Sequence, residues 1–255
     1  MKHKITTDTI IVGIPYLDSG AQGRELEYAI AGWHKHFKEE DFLVVVVGDH
    51  HPAVDLYDRT MHIPAPRVAP VEGEYLPAID IINKMQVLRK AFPKHKGFVW
   101  TNDDIYAVNN FDLSDIKFLK MLEPTVRFSE ADSNPWKACM ARTRRVLTMC
   151  GYNARSFALH LPCWYEWDKA LSIINEYDLR HKSLNFQGLY FNIYYGDRVP
   201  FRLNAEHDNI KCGVYSETPS LSDLQKALKS KIWINNSVTG YVPELVKVLE
   251  GHYGI

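Results

Sequence analysis

The spacing of hydrophobic and polar positions changes several times along this chain, and each change marks an element. From Thr9 to Ile14 a short β-branched apolar run ends at Pro15 and reads as a first strand. LDSGAQG follows as a turn-rich loop. In RELEYAIAGWHKHF the apolar positions Leu26, Ile30, Trp33 and Phe37 fall on one helical face. Asp41 to Asp49, DFLVVVVGD, holds an unbroken valine run. A strand without alternation is covered on both faces, as in a parallel sheet. Residues 50–77 are rich in Pro and His and read as a long ordered loop. Helical spacing returns in AIDIINKMQVLRKAF, closed by Pro93, and Gly97 to Thr101 reads as a third strand.

The order strand, helix, strand, loop, helix, strand opens an α/β sheet. In such sheets ligands bind beyond the carboxyl ends of the strands. The second half is more mixed. Asn134 to Cys150 reads as a helix with Pro135 in its first turn, SFALHLP as a short strand reaching His160, and Cys163 to Tyr177 as an aromatic-rich helix. Ser183 to Tyr195 fits a helix or a strand. SLSDLQKAL has an N-cap and an acidic first turn, KIWINN reads as a strand, and VPELVKVLEGHYG as a terminal amphipathic helix. No repeat or linker divides the chain. The expectation is one domain over 1–255, with 1–110 as the nucleotide-binding half and 111–255 as the acceptor-side half.

Composition narrows the class of function. Of 255 residues, 46% are apolar and 24% charged, which suits a chain with a real core. The net charge of -1 offers no overall basic attraction for nucleic acid or an acidic membrane. No run reaches the length of a transmembrane helix. The cysteines at 139, 150, 163 and 212 are widely spaced thiols without a CxxC motif, which with the weak amino-terminal apolar stretch predicts a cytoplasmic protein.

The candidate chemistry gathers at predicted strand ends. GFVWTNDDIYAV places Asn102, Asp103 and Asp104 directly after an apolar strand. Asn and Asp also make ordinary polar turns. Two adjacent carboxylates at a ligand edge suit a hard divalent cation, Mn²⁺ or Mg²⁺, bridging to phosphate oxygens. Asp49 ends the valine strand and is either a loop cap or a contact to a nucleoside. LDSGAQGRE opens a helix, whose amides together with Arg24 suit a phosphate. Lys84 and Arg89 are further phosphate candidates. His160 is a structural histidine or an acceptor-activating one. Glu206-His207-Asp208 is an exposed loop or a metal and general-base cluster, with His207 its natural ligand. His50-His51 lacks a third ligand at fixed spacing. Trp164, Tyr165 and Trp167 are core or a platform for a sugar face.

RELEYAIAGW, an Asp-tipped strand and FVWTNDDIYAV, in that order, resemble the second conserved region of Stealth-type capsular polysaccharide phosphotransferases. That family carries R-x-x-x-E-L-x-Y-(A/S)-L and F-x-Y-x-N-D-D-x-F. HLPCWYEWDKAL resembles its third region, and FQGLYFNIYYG with KIWINNSVTGYVPELVKVLEGHYG resembles the segment leading into its fourth. The likeness spans most of residues 22–254, and NDD is its most specific element. Two features depart from it. The first strand, IIVGIPYLDSG, lacks the family's V-x-x-W-V-(D/N)-G-x-D pattern, and Asn235-Asn236 stands where the family has Asn-Asp.

More broadly, the resemblance implies a GT-A-like open mixed, mostly parallel sheet with helices on both faces. It also implies a nucleotide-diphosphate sugar donor whose metal is held by Asp103 and Asp104. The expectation is a metal-dependent glycosyltransferase acting on a glycan or other hydroxyl acceptor, with a nucleic-acid acceptor still open. Sugar-1-phosphate transfer, metal phosphoester hydrolysis and non-catalytic nucleotide-sugar binding are the alternatives.

Overall fold

The protein, a computed structural model, is described here over residues 5–123, 127–204, 210–212 and 220–255. Its main sheet begins with β1 (Ile10–Tyr16), followed by helix α1 (Glu25–His36) and strand β2 (Phe42–Gly48). Strand β3 (Thr60–Pro64), helix α2 (Leu76–Ala91) and strand β4 (Gly97–Trp100) come next. β5 (Ile105–Ala107), α3 (Leu113–Lys117), β6 (Lys120–Glu123), α4 (Pro135–Met149) and β7 (Cys163–Glu166) lead to α5 (Trp167–Glu176) and α6 (Phe186–Tyr195). The chain then runs through β8 (Phe201–Asn204), β9 (Ile210–Cys212), α7 (Leu221–Ser230), β10 (Trp233–Asn236) and α8 (Pro243–Tyr253).

The five-stranded sheet has the order β3-β2-β1-β4-β7. Its first four strands are mutually parallel, and β7 runs antiparallel to β4 on the edge. A three-stranded sheet, β5-β10-β9, and a β6-β8 pair stand beside it. The open, mixed and mostly parallel sheet agrees with the sequence expectation. β2 shows why the valine run is continuous: all seven residues are buried. Val44 and Val46 pack with Leu26, Ile30 and Trp33 of α1 and with α7 and α8. Val45 and Val47 pack on the opposite face with Ile82, Met85 and Leu88 of α2 and with α5 and α6. Burial of each such side chain contributes about 1.5–3 kcal/mol, so helices are held on both faces.

Two expectations change, and one open alternative is decided. Residues 50–77 are not a continuous loop, because Thr60–Pro64 pairs in parallel with β2 as an edge strand. An edge tolerates Pro64 at its end, since no ladder donor is lost there. SFALHLP forms no strand, and the strand begins at Cys163, inside the stretch read as helix. CWYE alternates between faces, with Trp164 against one core and Cys163 and Tyr165 in the other. Its aromatic density hid that two-residue period. Ser183 to Tyr195 resolves as α6, started by the Asn185 side chain, which accepts from the Gly188 amide at 2.5 Å.

Histidines couple this packing to pH. His36 on α1 and His252 on α8 stack with ring centres 5.0 Å apart and Nε2 atoms at 2.8 Å. One ring donates to the other's lone pair, so they cannot both be charged and keep that bond. Burial, then Lys35 and His36, lowers His252 from 6.5 to about 4. Burial, then Arg59, lowers His34 to about 4 as well. A folded pKa below the unfolded one makes the unfolded chain bind more protons between these values. Stability from both groups is therefore full above about pH 6.5 and lost as pH falls toward 4. After discounting for solvent, each histidine accounts for on the order of 1 kcal/mol. His252→Gln is expected to flatten urea-unfolding stability between pH 6.5 and 4 relative to the parent. Identical slopes in the two proteins would refute this linkage.

Candidate functional site

The chain leaves the five-stranded sheet at Trp100 and enters the three-stranded sheet at Ile105. Thr101 to Asp104 therefore bridge two sheets, and the paired carboxylates occupy that bridge. Its ends are fixed by backbone bonds: the Thr101 amide donates to the Gly13 carbonyl at 3.1 Å, and the Asn236 amide to the Asp104 carbonyl at 3.3 Å. Asn102, Asp103 and Asp104 are all half-buried. This is the carboxyl edge of the parallel strands, where Asp49 follows β2.

Gly48 shapes the same edge. Its φ is +134°, and a Cβ there would lie 2.0 Å from the Tyr16 carbonyl oxygen. Only glycine fits. The space above it takes the stem of Lys84, whose Cε is 2.9 Å from that hypothetical Cβ. Lys84 is buried and pairs with Asp80, one helical turn earlier, at 2.6 Å. Its charge favours the ionised forms of both Asp49 and Asp103. Asp49 also accepts from the Asp18 amide at 3.0 Å and from Arg67 at 2.9 Å. Burial opposes that charge, but these two bonds outweigh it and hold the carboxyl below its ordinary range.

Negative charge is crowded at the bridge. Burial first, then Asp104 and Glu25, pushes the Asp103 carboxyl up to about 8. Glu25, buried at the start of α1, is also raised by burial and by Asp104. It is held by the Asn236 amide group at 2.5 Å and the Gln22 amide at 2.6 Å. The Tyr106 hydroxyl donates to Asn236 from the other side. Asp104 Oδ1 meets His160 Nε2 at 2.8 Å, and the His160 carbonyl accepts from Asn235 at 3.0 Å. Asn235-Asn236 therefore ties both the Glu25 and the His160 sides of the bridge. Thr101 Oγ1 and Asn235 Oδ1 are buried polar atoms without a hydrogen-bond partner among the described residues.

Carboxylates crowded so that Asp104 pushes up both Asp103 and Glu25 have an unmet demand for a cation, which Lys84 meets only in part because it also serves Asp80. Their oxygen donors fit a hard divalent ion. Among the described residues no three His, Cys, Asp or Glu side chains converge as a complete metal cage. The donor set therefore matches an ion that keeps water and phosphate ligands, as Mg²⁺ usually does.

The structure gathers Asp49, Lys84, Asn102, Asp103, Asp104 and His160 at one edge. Other candidates lie elsewhere or are already engaged. Arg24 is held by Glu27 at 2.7 Å and Glu250 at 3.1 Å, so its donors face protein carboxylates. Arg89 donates to the His95 carbonyl at 3.0 Å, just before the start of β4 and at the opposite edge of the sheet. His51 accepts from the Ala53 amide, and His50 lies 3.8 Å from Asp55. His207, with Glu206 and Asp208, lies outside the described residues. Sequence reasoning missed Glu25 as a site residue. Its signal was an acid at a helix start otherwise made for burial.

No protein-family model and no curated protein matches this chain. Two solved structures are similar over most of it. One is a glycosyltransferase involved in the glycosylation of the major capsid of PBCV-1, at 9% identity and TM-score 0.43, covering 96% of this chain and 98% of that one. The other is 4-diphosphocytidyl-2C-methyl-D-erythritol synthase from Anaerococcus prevotii, at 10% identity and TM-score 0.46, covering 78% of this chain and 87% of that one. Among the described residues no helix is long and apolar enough to cross a membrane.

Proposed function

We propose that this chain is a GT-A-like, metal-dependent glycosyltransferase that moves a sugar from a nucleotide-diphosphate donor to a hydroxyl of a glycan. The observation that carries this reading is the crowded carboxylate bridge at the carboxyl edge of the parallel strands, between Asp49 and Lys84 on one side and His160 on the other. Asp103 and Asp104 would hold Mn²⁺ or Mg²⁺. When bound, the ion neutralises charge developing on the leaving diphosphate. Lys84 adds a fixed positive charge beside the phosphates. Asp49, already positioned by Arg67, accepts from a donor hydroxyl or base.

His160 has its Nε2 committed to Asp104, which leaves Nδ1 to take the acceptor hydroxyl proton. The roles of His160 and Asp104 resemble those of a base and the group that orients it.

Calorimetry with UDP, GDP, CDP and their sugars, with and without Mn²⁺, tests the reading. One nucleotide is expected to bind only when the ion is present. No binding by any of them would sink it, and turnover of bis-p-nitrophenyl phosphate would point to hydrolysis instead. The leaving group separates the two transfers. Attack at the anomeric carbon releases a nucleoside diphosphate, whereas attack at the sugar-linked phosphorus moves sugar phosphate and releases a nucleoside monophosphate.

A further inference from the structure

A groove of about 380 Å³ lies beside the outer edge strand β7, apart from the carboxylate bridge. Leu159, Leu161 and Pro162 line it, and His160, between Leu159 and Leu161 in the chain, bonds to Asp104 at 2.8 Å. From there the groove follows β7 to Glu166. Because β7 is antiparallel to β4, with Cys163 opposite Trp100 and Glu166 opposite Gly97, the groove runs from the reactive edge toward the far edge of the sheet. The three steps between the four extended residues of β7, at about 3.3 Å each, give a path of roughly 10 Å along that strand.

The lining combines cations with aromatic rings. Lys117, Lys120, Lys169 and Arg198 face a single carboxylate, Glu166, in a chain whose net charge is -1. Glu166 is already neutralised by Lys169 at 2.6 Å and accepts from the Tyr195 hydroxyl at 2.8 Å. The Lys120 ammonium donates to the Asp115 and Phe118 carbonyls. Among the described residues neither Lys117 nor Arg198 forms a salt bridge, although the Lys117 charge, after Lys169 and Tyr195, helps hold the Glu166 carboxyl below its ordinary range. They are exposed, and they sit over rings instead, with the Lys117 ammonium 4.4 Å from the Trp164 ring centre and the Arg198 guanidinium 4.8 Å from that of Tyr195. Phe118, 57% exposed, extends the aromatic surface at the groove.

An excess of cations over one already neutralised carboxylate, beside an exposed aromatic ring in a groove, matches a ligand that is both flat-faced and negatively charged. We infer that the groove along β7 binds an acidic oligosaccharide, its carboxylate or sulfate groups on Lys117 and Arg198 and a sugar face on the exposed Phe118 ring. If the transferase reading holds, on which this clause alone rests, that chain is the acceptor, and its end reaches His160.

The test is titration of the purified protein with tetragalacturonate, a heparin-derived tetrasaccharide and neutral cellotetraose, followed by calorimetry and tryptophan fluorescence. At least one acidic tetrasaccharide is expected to bind at least tenfold more tightly than cellotetraose. The double variant Lys117→Glu with Arg198→Glu is expected to lose at least tenfold of that affinity at unchanged melting temperature, since both side chains are exposed. Trp164→Phe should keep the affinity within a fewfold and reduce the fluorescence response. Failure of both acidic ligands to bind, or equal affinity in the double variant, overturns the inference. Mn²⁺-dependent nucleotide binding, measured on the same samples, stays unchanged in the double variant. Acidic-saccharide binding without any nucleotide binding would leave the groove standing and remove the transferase reading.

Discussion

Asp104→Ala is expected to lower turnover of the nucleotide sugar by about a thousandfold or more, through two losses at once. One carboxylate oxygen orients His160 at 2.8 Å, and the carboxylate as a whole supplies half of the proposed cation site. Asp104→Asn separates the two roles. Its amide keeps an oxygen for His160 but removes the charge, so metal-dependent nucleotide binding should weaken while the histidine stays placed. Stability argues in the opposite direction from activity. Asp104 raises the pKa values of both Asp103 and Glu25, so removing its charge relieves repulsion. The inactive variant is therefore expected to melt no lower than the parent, which separates lost chemistry from lost folding. Full turnover in Asp104→Ala would remove the bridge from the reaction.

The parallel core was legible because its cause is local. A valine run buried on both faces and helices with one apolar face need no long-range information. That the carboxylates end a strand was also legible, from GFVWTNDD alone. The bridge itself was not. β5 is three residues long, and only its pairing with β10, over a hundred residues away, shows that the chain changes sheets at Asp103-Asp104. Glu25 and Asn236 escaped for the same reason, since their bond joins residues 211 positions apart. Arg24 misled in the other direction. An arginine beside a glycine-rich loop suits phosphate, but Glu27 on its own helix and Glu250 on α8 claim it first. His160 was identified as a candidate on an incorrect strand assignment. Its place comes from an irregular segment pinned by Asn235.

That long-range bond also carries the largest expected stability effect. Asn236 is fully buried, donates to Glu25 and accepts from Tyr106. Asn236→Leu fills similar space but leaves a carboxylate and a hydroxyl buried without that partner. The expected cost is about 3 kcal/mol in urea unfolding at pH 7.5. Its origin can be tested in two ways. Glu25 already has a raised pKa, so the unpartnered group should take up a proton as pH falls. A carboxyl raised in the folded state contributes stability at low pH that is lost as pH rises, so the penalty of Asn236→Leu should shrink between pH 8 and pH 5. Glu25→Gln, which removes the charge outright, should recover part of the loss in the double variant, with a coupling of about 1–2 kcal/mol. A penalty independent of pH and unrelieved by Glu25→Gln would mean that Asn236 acts by packing alone. A coupled penalty would mean that the second sheet, through β10, fixes the acid next to the reactive bridge.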